Sequence, residues 1–368
     1  MPLKILHTAD VHLGARFLRL GPRGQEQRSQ LFQTFSRTVE LALAEEVDLF
    51  LVAGDLVESN QAPASLVARV ASCLQQLTSA GIQVLISPGT HDSYGEGSVY
   101  QRPPFRGMGG LTVFTDEKMR AHPLPEHDCT VYGNANTTPF RNRYPLSDLE
   151  PCDSRWRIGM LHTSFEIPDI TGDTYLVTGA QIASSRLHYL AMGHYHSLLD
   201  HSSGGVTAYY PGSPELVRLQ KGDFGYVLLV ELGDGVRVEP LKVGRRKYEE
   251  VVLQAEGLTS RVLESALEKQ EDPNTVLKVK IEGLRRPGYP DVEEIVGEFR
   301  GRFFHLECDD RSRPAPSALE PGCYPQGSAA ASYLEIMSEV LKTASASESE
   351  EVLEAMQLGL SLLEQEED

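Results

Sequence analysis

Histidine and aspartate recur at short, fixed spacings along this chain. They stand in Asp10-Val11-His12, Gly54-Asp55, Gly89-Thr90-His91-Asp92, Leu161-His162-Thr163 and Gly193-His194-Tyr195-His196. Imidazole and carboxylate together suit borderline divalent metals such as manganese, iron or zinc. Residues two apart at a strand end, as in Asp10/His12 and His194/His196, project to one side while the backbone turns. A glycine just before a ligand lets the chain turn sharply and come close to a metal. One carboxylate shared by two metals keeps them ~3.5–4 Å apart, the separation used for in-line displacement at phosphorus. Taken singly, a D-x-H, a Gly-Asp or a lone strand histidine is usually structural. Five such pieces in this order read instead as a two-metal phosphoester site.

The elements around these pieces are those such a site needs. Leu3–His7 reads as a buried strand running into the loop Thr8-Ala9-Asp10. A helix is predicted over 25–46, with Leu31, Phe35, Val39 and Leu43 on one face. A second apolar strand, 48–54, ends at Gly54-Asp55. A helix over 63–80 and a strand over 82–86 follow, the latter ending at Pro88-Gly89. This alternation implies parallel strands joined by crossover helices. From Leu111 the pattern becomes short β-like runs at 111–114, 130–132, 157–161, 189–192, 206–210, 226–232 and 236–243. They suggest a mixed sheet, or two sheets packed face to face with helices outside. Near Tyr248 a smaller unit begins: strand 249–254, helix 259–269, strand 275–281, helix 291–297, strand 302–307. The Pro-, Gly- and Arg-rich stretch 309–326 reads as a linker. Two amphipathic helices, 328–342 and 348–363, complete the pattern. The expected organisation is therefore residues 1–240 for catalysis, 245–310 as an α+β cap, and 327–368 as a helical tail.

The chain has 368 residues, 40% of them apolar and 23% charged, which suits a globular protein with a sizeable core. Its five cysteines are scattered singly, which argues against a disulfide framework or a thiolate zinc site and favours a reducing cytoplasm. No basic region followed by an apolar run opens the sequence, and no stretch approaches the ~18–20 apolar residues of a membrane span. The expected location is the cytoplasm, with no membrane partner. The net charge of -18 disfavours nucleic acid at first sight. Acids are concentrated after Ser345, however, where Lys and Arg are absent. Basic spots at Arg102/Arg106, Arg141/Arg143, Arg155/Arg157, Arg245/Arg246/Lys247 and Arg285/Arg286 remain for phosphates, each also readable as solvated surface.

The order of the motifs resembles that of the calcineurin-like metallophosphoesterase superfamily. The text His7-Thr-Ala-Asp-Val-His-Leu-Gly14 looks most like its SbcD-type branch, the nuclease subunit of a double-strand-break repair nuclease–ATPase complex. The motifs cover Met1 to about Leu232, and the unit after Tyr248 is similar in position and element order to that branch's DNA-binding cap. The resemblance implies an α/β fold, a four-layer α/β/β/α sandwich with a small α+β cap and a C-terminal helical tail. It implies two divalent metals, manganese first, with iron, zinc and magnesium as alternatives. Asp10, His12 and His196 would hold the first, Asp55 would bridge, and His162, His194 and Thr90 would hold the second. His91 would sit outside the ligand shell as proton donor to the scissile phosphate or leaving oxygen, with Asp92 orienting its ring. The metals would lower the pKa of the attacking water toward ~7. The implied partners are DNA, a coiled-coil ATPase of the SbcC type docking on the tail helices, and a second copy of the chain.

Two positions depart from the family text. Gly-Asn-His-Asp is usual where this chain has Gly89-Thr90-His91-Asp92. Three arrangements follow: Thr90 ligates through its hydroxyl, a water fills the gap, or the second metal is weakly held. Water filling the gap is the expectation. Three residues beyond the bridging Asp the branch often has His, and here Glu58 stands, either as an extra carboxylate near the metals or as a surface loop residue. His7 is expected to be structural, and His122, His127, His188, His201 and His305 have no partner at ligand spacing. A DNA exonuclease and endonuclease is the leading reading. A small-molecule or nucleotide phosphodiesterase and a catalytically attenuated scaffold are the alternatives.

Overall fold

The structure is a computed structural model. It describes residues 2–137, 145–146, 149–166, 176–218, 224–285, 289–314, 319, 324–345 and 348–366. Arg141, Arg143, Arg286 and Cys323 lie outside the described residues. The chain divides into two compact units, Met1–Lys247 and Tyr248–Asp368.

In the first unit, the strands β1 (Leu3–Thr8), β2 (Leu49–Val52), β3 (Gln83–Ile86) and β4 (Leu111–Val113) run parallel, connected through α1 (Arg23–Ala44) and α2 (Ala64–Ser79). A second group comprises β5 (Arg120–Leu124), β6 (Cys129–Gly133), β7 (Trp156–His162), the short pair β8 (Ser164–Phe165) and β9 (Leu176–Val177), helix α3 (Gly179–Ser184), β10 (Tyr189–Gly193), β11 (Leu199–Asp200) and β12 (Thr207–Tyr210). The strands β13 (Tyr226–Leu232) and β14 (Val236–Lys242) then form a hairpin that returns to pair antiparallel with β1. Two six-stranded sheets result, ordered β14-β13-β1-β2-β3-β4 and β11-β12-β10-β7-β6-β5.

The layering follows from the period of two along each strand. Ile5, Leu49, Leu51 and Leu85 face inward and meet Val131, Ile158, Met160 and Tyr189 of the other sheet. Their neighbours Leu6, Phe50, Val52, Val84 and Ile86 face outward, onto Leu31, Phe35 and Val39 of α1 and Val70, Leu74 and Leu77 of α2. On the far side, Tyr132, Leu161, Leu190, Met192 and Tyr210 pack with Ile182 of α3. The fold is thus an α/β/β/α sandwich. Strands buried on both faces read as continuous apolar runs, as in Leu49-Phe-Leu-Val52.

The second unit has a three-stranded sheet of β15 (Lys247–Gln254), β16 (Thr275–Glu282) and β18 (His305–Asp310), with α4 (Ser260–Glu268) and α5 (Val292–Phe299). Leu263, Leu267, Ile295, Val296 and Phe299 of these helices share a core with Leu277, Val279 and Ile281. Each helix begins at a side-chain cap, Thr259 on the Val262 N–H and Asp291 on the Glu294 N–H. The stretch read as a linker from residue 309 includes strand residues. The last strand starts three residues later than predicted and continues to Asp310, and β17 (Leu284–Arg285) pairs with β19 (Arg313–Pro314). The first residue of the expected strand, Arg302, instead closes a turn of 3-10 helix, Arg300–Arg302. Finally α6 (Ala329–Thr343) and α7 (Glu348–Glu366) pack through Ala330, Leu334, Met356 and Leu360. Ile336, Val340, Leu353, Leu358 and Leu362 remain exposed.

Candidate metal centre

Every residue of the site lies at or just after the C-terminal end of a parallel strand. Asp10 and His12 follow β1, Asp55 follows β2, and Thr90, His91 and Asp92 follow β3. His162 is the last residue of β7, and His194 and His196 follow β10. The β1 and β2 loops run on together, with the Asp10 N–H donating to Gly54 O and the His12 N–H to Asp55 O. This tight path forces Asp10, His12 and Asp55 into left-handed backbone at φ near 50°, and His194 to φ 115°. Non-glycine residues hold such angles at a cost of ~1–3 kcal/mol each, which suggests that side-chain placement here outweighs local strain. Two glycines are fixed by close approach. A Cβ on Gly54 would overlap the His162 ring, and one on Gly89 would overlap the Asp55 carboxylate.

At the centre, Asp55 Oδ2 lies 3.2 Å from His162 Nε2 and 3.7 Å from His12 Nε2. Asp10 Oδ1 lies 3.8 Å from His196 Nε2, and the Asp10 carboxylate accepts the His194 backbone N–H at 2.9 Å. Ligand atoms lie within 4.8 Å of one another in three triplets: Asp10/His12/His196, Asp10/Asp55/His162 and His12/Asp55/His91. His194 stands outside these triplets, its ring edge-on to His162 at 5.3 Å between centroids. Asp10 and Asp55 are buried, and among the described residues no Lys or Arg pairs with either. Burying a carboxylate uncompensated costs several kcal/mol, so a stabilising role has the wrong sign. The buried nitrogen His12 Nε2 has no hydrogen-bond partner, and His162 Nε2 faces the Asp55 carboxylate. Carboxylates with no Lys or Arg partner, and the Nε2 atoms of His12 and His162 turned toward them, fit divalent metal.

Ring orientation is set from behind. His162 Nδ1 is 2.9 Å from Ala53 O and His12 Nδ1 is 2.8 Å from Glu58 Oε2, which turns each Nε2 inward. Charges respond accordingly. Burial raises the Asp10 pKa to about 6, with Asp55 adding to the shift. Burial opposes ionisation of Asp55 too, yet the His162 and His12 rings and the His91 N–H hold it well below the usual carboxylate range. Burial also disfavours charge on His162, but Asp55 and Asp10 outweigh it and lift its pKa to about 10. Burial, together with His12 and Arg218, pushes His196 down to about 3, leaving it in the neutral form that binds metals.

Of the sequence-predicted residues, Asp10, His12, Asp55, His91, His162 and His196 converge, and His194 lies beside His162; two expectations of detail differ. Asp92, expected to orient the His91 ring, does not touch it. Its carboxylate accepts the Leu56 N–H at 2.7 Å, the Gly89 N–H at 2.7 Å and the Tyr100 hydroxyl at 2.5 Å. A fully buried carboxylate needs that many donors, so Asp92 ties the β2 and β3 loops together. His91 instead places Nδ1 3.2 Å from Glu58 O and 3.7 Å from Glu58 Oε2. Glu58 is therefore no bystander of a surface loop, because one side chain contacts both His12 and the His91 region. The Thr90 hydroxyl donates to Asp55 Oδ2 at 3.2 Å. It stands over the central carboxylate.

Sequence reasoning missed Asn136, a buried residue after β6 whose amide donates to His162 O at 3.2 Å and whose N–H donates to Pro88 O. The available signal was its place after a strand, in Gly133-Asn-Ala-Asn136. The anticipated basic spots are largely occupied internally. Arg102 holds Ala62 O and Asn60 O, Arg157 holds Arg186 O, and Arg246 pairs with Glu26 at 2.6 Å. His7 is structural as expected, buried with Nδ1 2.8 Å from the Tyr189 hydroxyl.

The family model for calcineurin-like phosphoesterases matches residues 3–227, and the chain belongs to that family. Among curated relatives, the DNA double-strand break repair protein Mre11 of Aeropyrum pernix is 31% identical over 66% of this chain and 61% of its own length. The protein of the same name from Sulfurisphaera tokodaii is 26% identical over 77% of this chain and 74% of its own. The uncharacterized metallophosphoesterase YhaO of Bacillus subtilis is 24% identical over 62% of this chain and 57% of its own. The chain thus spans about three fifths of the first of these relatives. Among the described residues no helix is long and apolar enough to cross a membrane.

Proposed function

We propose that the chain is a metal-dependent DNA nuclease that hydrolyses phosphodiester bonds, an exonuclease and endonuclease of double-strand-break repair acting in the cytoplasm. The observation that carries this reading is the buried Asp10/Asp55 pair, ringed by His12, His162 and His196. The names of the Mre11 relatives support DNA as the substrate. Asp10, His12 and His196 would hold a first cation, Asp55 would be shared, and His162, His194 and Thr90 would serve a second. Two divalent ions, manganese foremost, would polarise the phosphoryl oxygens and acidify the attacking water.

The chain's own groups do the rest. His91, its side chain 35% exposed, faces the space a substrate must enter and is placed to donate a proton to the leaving oxygen. Glu58 fixes the His12 ring and confines His91. Asp92 and Tyr100 keep the His91 loop rigid, so that this geometry costs no reorganisation when substrate arrives. The α+β unit would confine duplex DNA as a cap. The exposed apolar residues of α6 and α7 would dock on a coiled-coil ATPase partner, and a homodimer is the expected assembly.

The test is incubation of the purified chain with labelled duplex and single-stranded DNA in manganese. Degradation that chelator abolishes and that Asp55→Ala lacks is the expected result; none in the parent would overturn the reading. Cleavage of bis-phenyl phosphate or cyclic nucleotides without DNA cleavage would establish the small-molecule phosphodiesterase alternative, and metal binding without turnover the attenuated scaffold that Thr90 raises.

A further inference from the structure

A cleft of about 640 Å³ opens at the candidate metal centre, with His12, Glu58 and His91 in its lining. Its other walls come from the segment after the first motif, Arg16 to Leu20, and from Val217 and Arg218. Arg16, Arg19 and Arg218 are exposed, and among the described residues none of the three makes an ion pair. In a chain of net charge -18, three unpaired guanidiniums around one cleft form a local positive field against the global one.

The segment is also rigid in a particular way. Phe17 sits in left-handed backbone, φ 52° and ψ 44°, with its ring against the first unit's core. The Leu20 N–H returns to Phe17 O at 3.1 Å, the Leu20 side chain is buried, and Arg28 holds Arg16 O at 2.7 Å. Between these two anchors Leu18 is held out to solvent, 82% exposed, the most exposed large apolar side chain among the described residues. A large apolar group held outward at a charged cleft offers apolar surface to whatever enters, and covering it is favourable. An occupant with a row of negative charges and apolar planar faces satisfies both halves of the cleft.

We infer that this cleft is a polynucleotide-strand subsite, with Arg16, Arg19 and Arg218 on successive phosphates and Leu18 against a base next to the scissile bond. The inference rests on the nuclease reading and deepens it. It assigns the strand a path past His91, and it makes bases, which the metal centre does not touch, part of recognition. Because Leu18 contacts a base face rather than an edge, the contact is tolerant of sequence.

The experiment compares the full-length parent, Arg16→Ala/Arg19→Ala and Leu18→Ser, with metal content and melting temperature as folding controls. Binding to a labelled single strand is measured across salt in calcium, and kcat/KM on DNA is divided by kcat/KM on bis-p-nitrophenyl phosphate in manganese. For the double arginine variant that ratio should fall by about ten-fold or more, with the slope of log affinity against log salt shallower by roughly 1.4, from ~0.7 per phosphate contact. For Leu18→Ser the ratio should fall by about five-fold on an ordinary strand and stay level on one carrying an abasic site next to the cut, since only a base contact is lost. Unchanged ratios and salt slope in variants of a parent that cleaves DNA would overturn the subsite and leave the nuclease reading standing. A parent that hydrolyses the small diester and neither binds nor cuts DNA would overturn both.

Discussion

His91 and Asp55 are separated by a single contact, the His91 N–H on Asp55 Oδ1 at 2.7 Å, yet their expected roles differ completely. His91→Ala should leave metal content near that of the parent and lower turnover by ~10²–10⁴, the range for losing a general acid. Asp55→Ala should lose both metal and activity, as measured by elemental analysis alongside the assay. Metal loss in both variants would place His91 among the ligands, an arrangement its triplet with His12 and Asp55 allows. Thr90→Asn tests the second site. A carboxamide oxygen reaches further than the hydroxyl now bonded to Asp55 Oδ2, so bound metal and rate should both rise; if neither moves, Thr90 does not limit the enzyme. At this scale the convergence of Asp10, His12, Asp55, His162 and His196 was legible, because spacing after strand ends fixes which residues meet. The directions of Glu58 and Asp92 were not. Adjacent positions in a turning loop can face either way, and only the donors around Asp92 decide that it serves backbone rather than His91.

Among the elements, the long parallel strands and their helices were readable because burial on both faces leaves uninterrupted apolar runs, and α1 repeats its buried residues at helical spacing. The strand Arg120–Leu124 and the helix Gly179–Ser184 escaped notice. Arg120-Ala-His-Pro-Leu has one large apolar residue and carries a proline, which only an edge strand tolerates, and six residues are too few to show a period. One strand carries a pH liability that its sequence did not announce. His7 of β1 lies buried between sheet neighbours, and burial drives its pKa from 6.5 to about 3. It is neutral in the fold, whereas in the unfolded chain it takes up a proton below about 6.5. Proton uptake by the unfolded chain favours unfolding, so this contribution is intact above pH 6.5 and is lost as pH falls toward 3. The slope approaches about 1.4 kcal/mol per pH unit inside that window. His7→Gln should be less stable than the parent at pH 7, with the difference narrowing by pH 5 in urea denaturation. A constant difference would mean that His7 is not kept neutral.

For the whole molecule, net charge was the least informative quantity, since -18 hides both the cleft arginines and a buried anionic centre. On the proposed reading that centre would couple metal to protons and to the stability of the first unit. Without metal, His162 keeps a proton up to about pH 10, because Asp55 and Asp10 outweigh the cost of burying its charge. A divalent ion must displace that proton to reach Nε2, so binding releases protons and strengthens as pH rises. Calorimetric titration with manganese at pH 7.5, in buffers of different ionisation enthalpy, should therefore show net proton release, and the affinity should increase between pH 6.5 and 8.5. The same linkage should raise the melting temperature, since an ion at about 100 times its Kd stabilises the fold by about 2.7 kcal/mol. Asp55→Ala should abolish both the shift and the proton release. A melting temperature that ignores manganese in the parent, or binding without proton release, would mean that the buried Asp55–His162 pair is a permanent ion pair and the cation sits elsewhere.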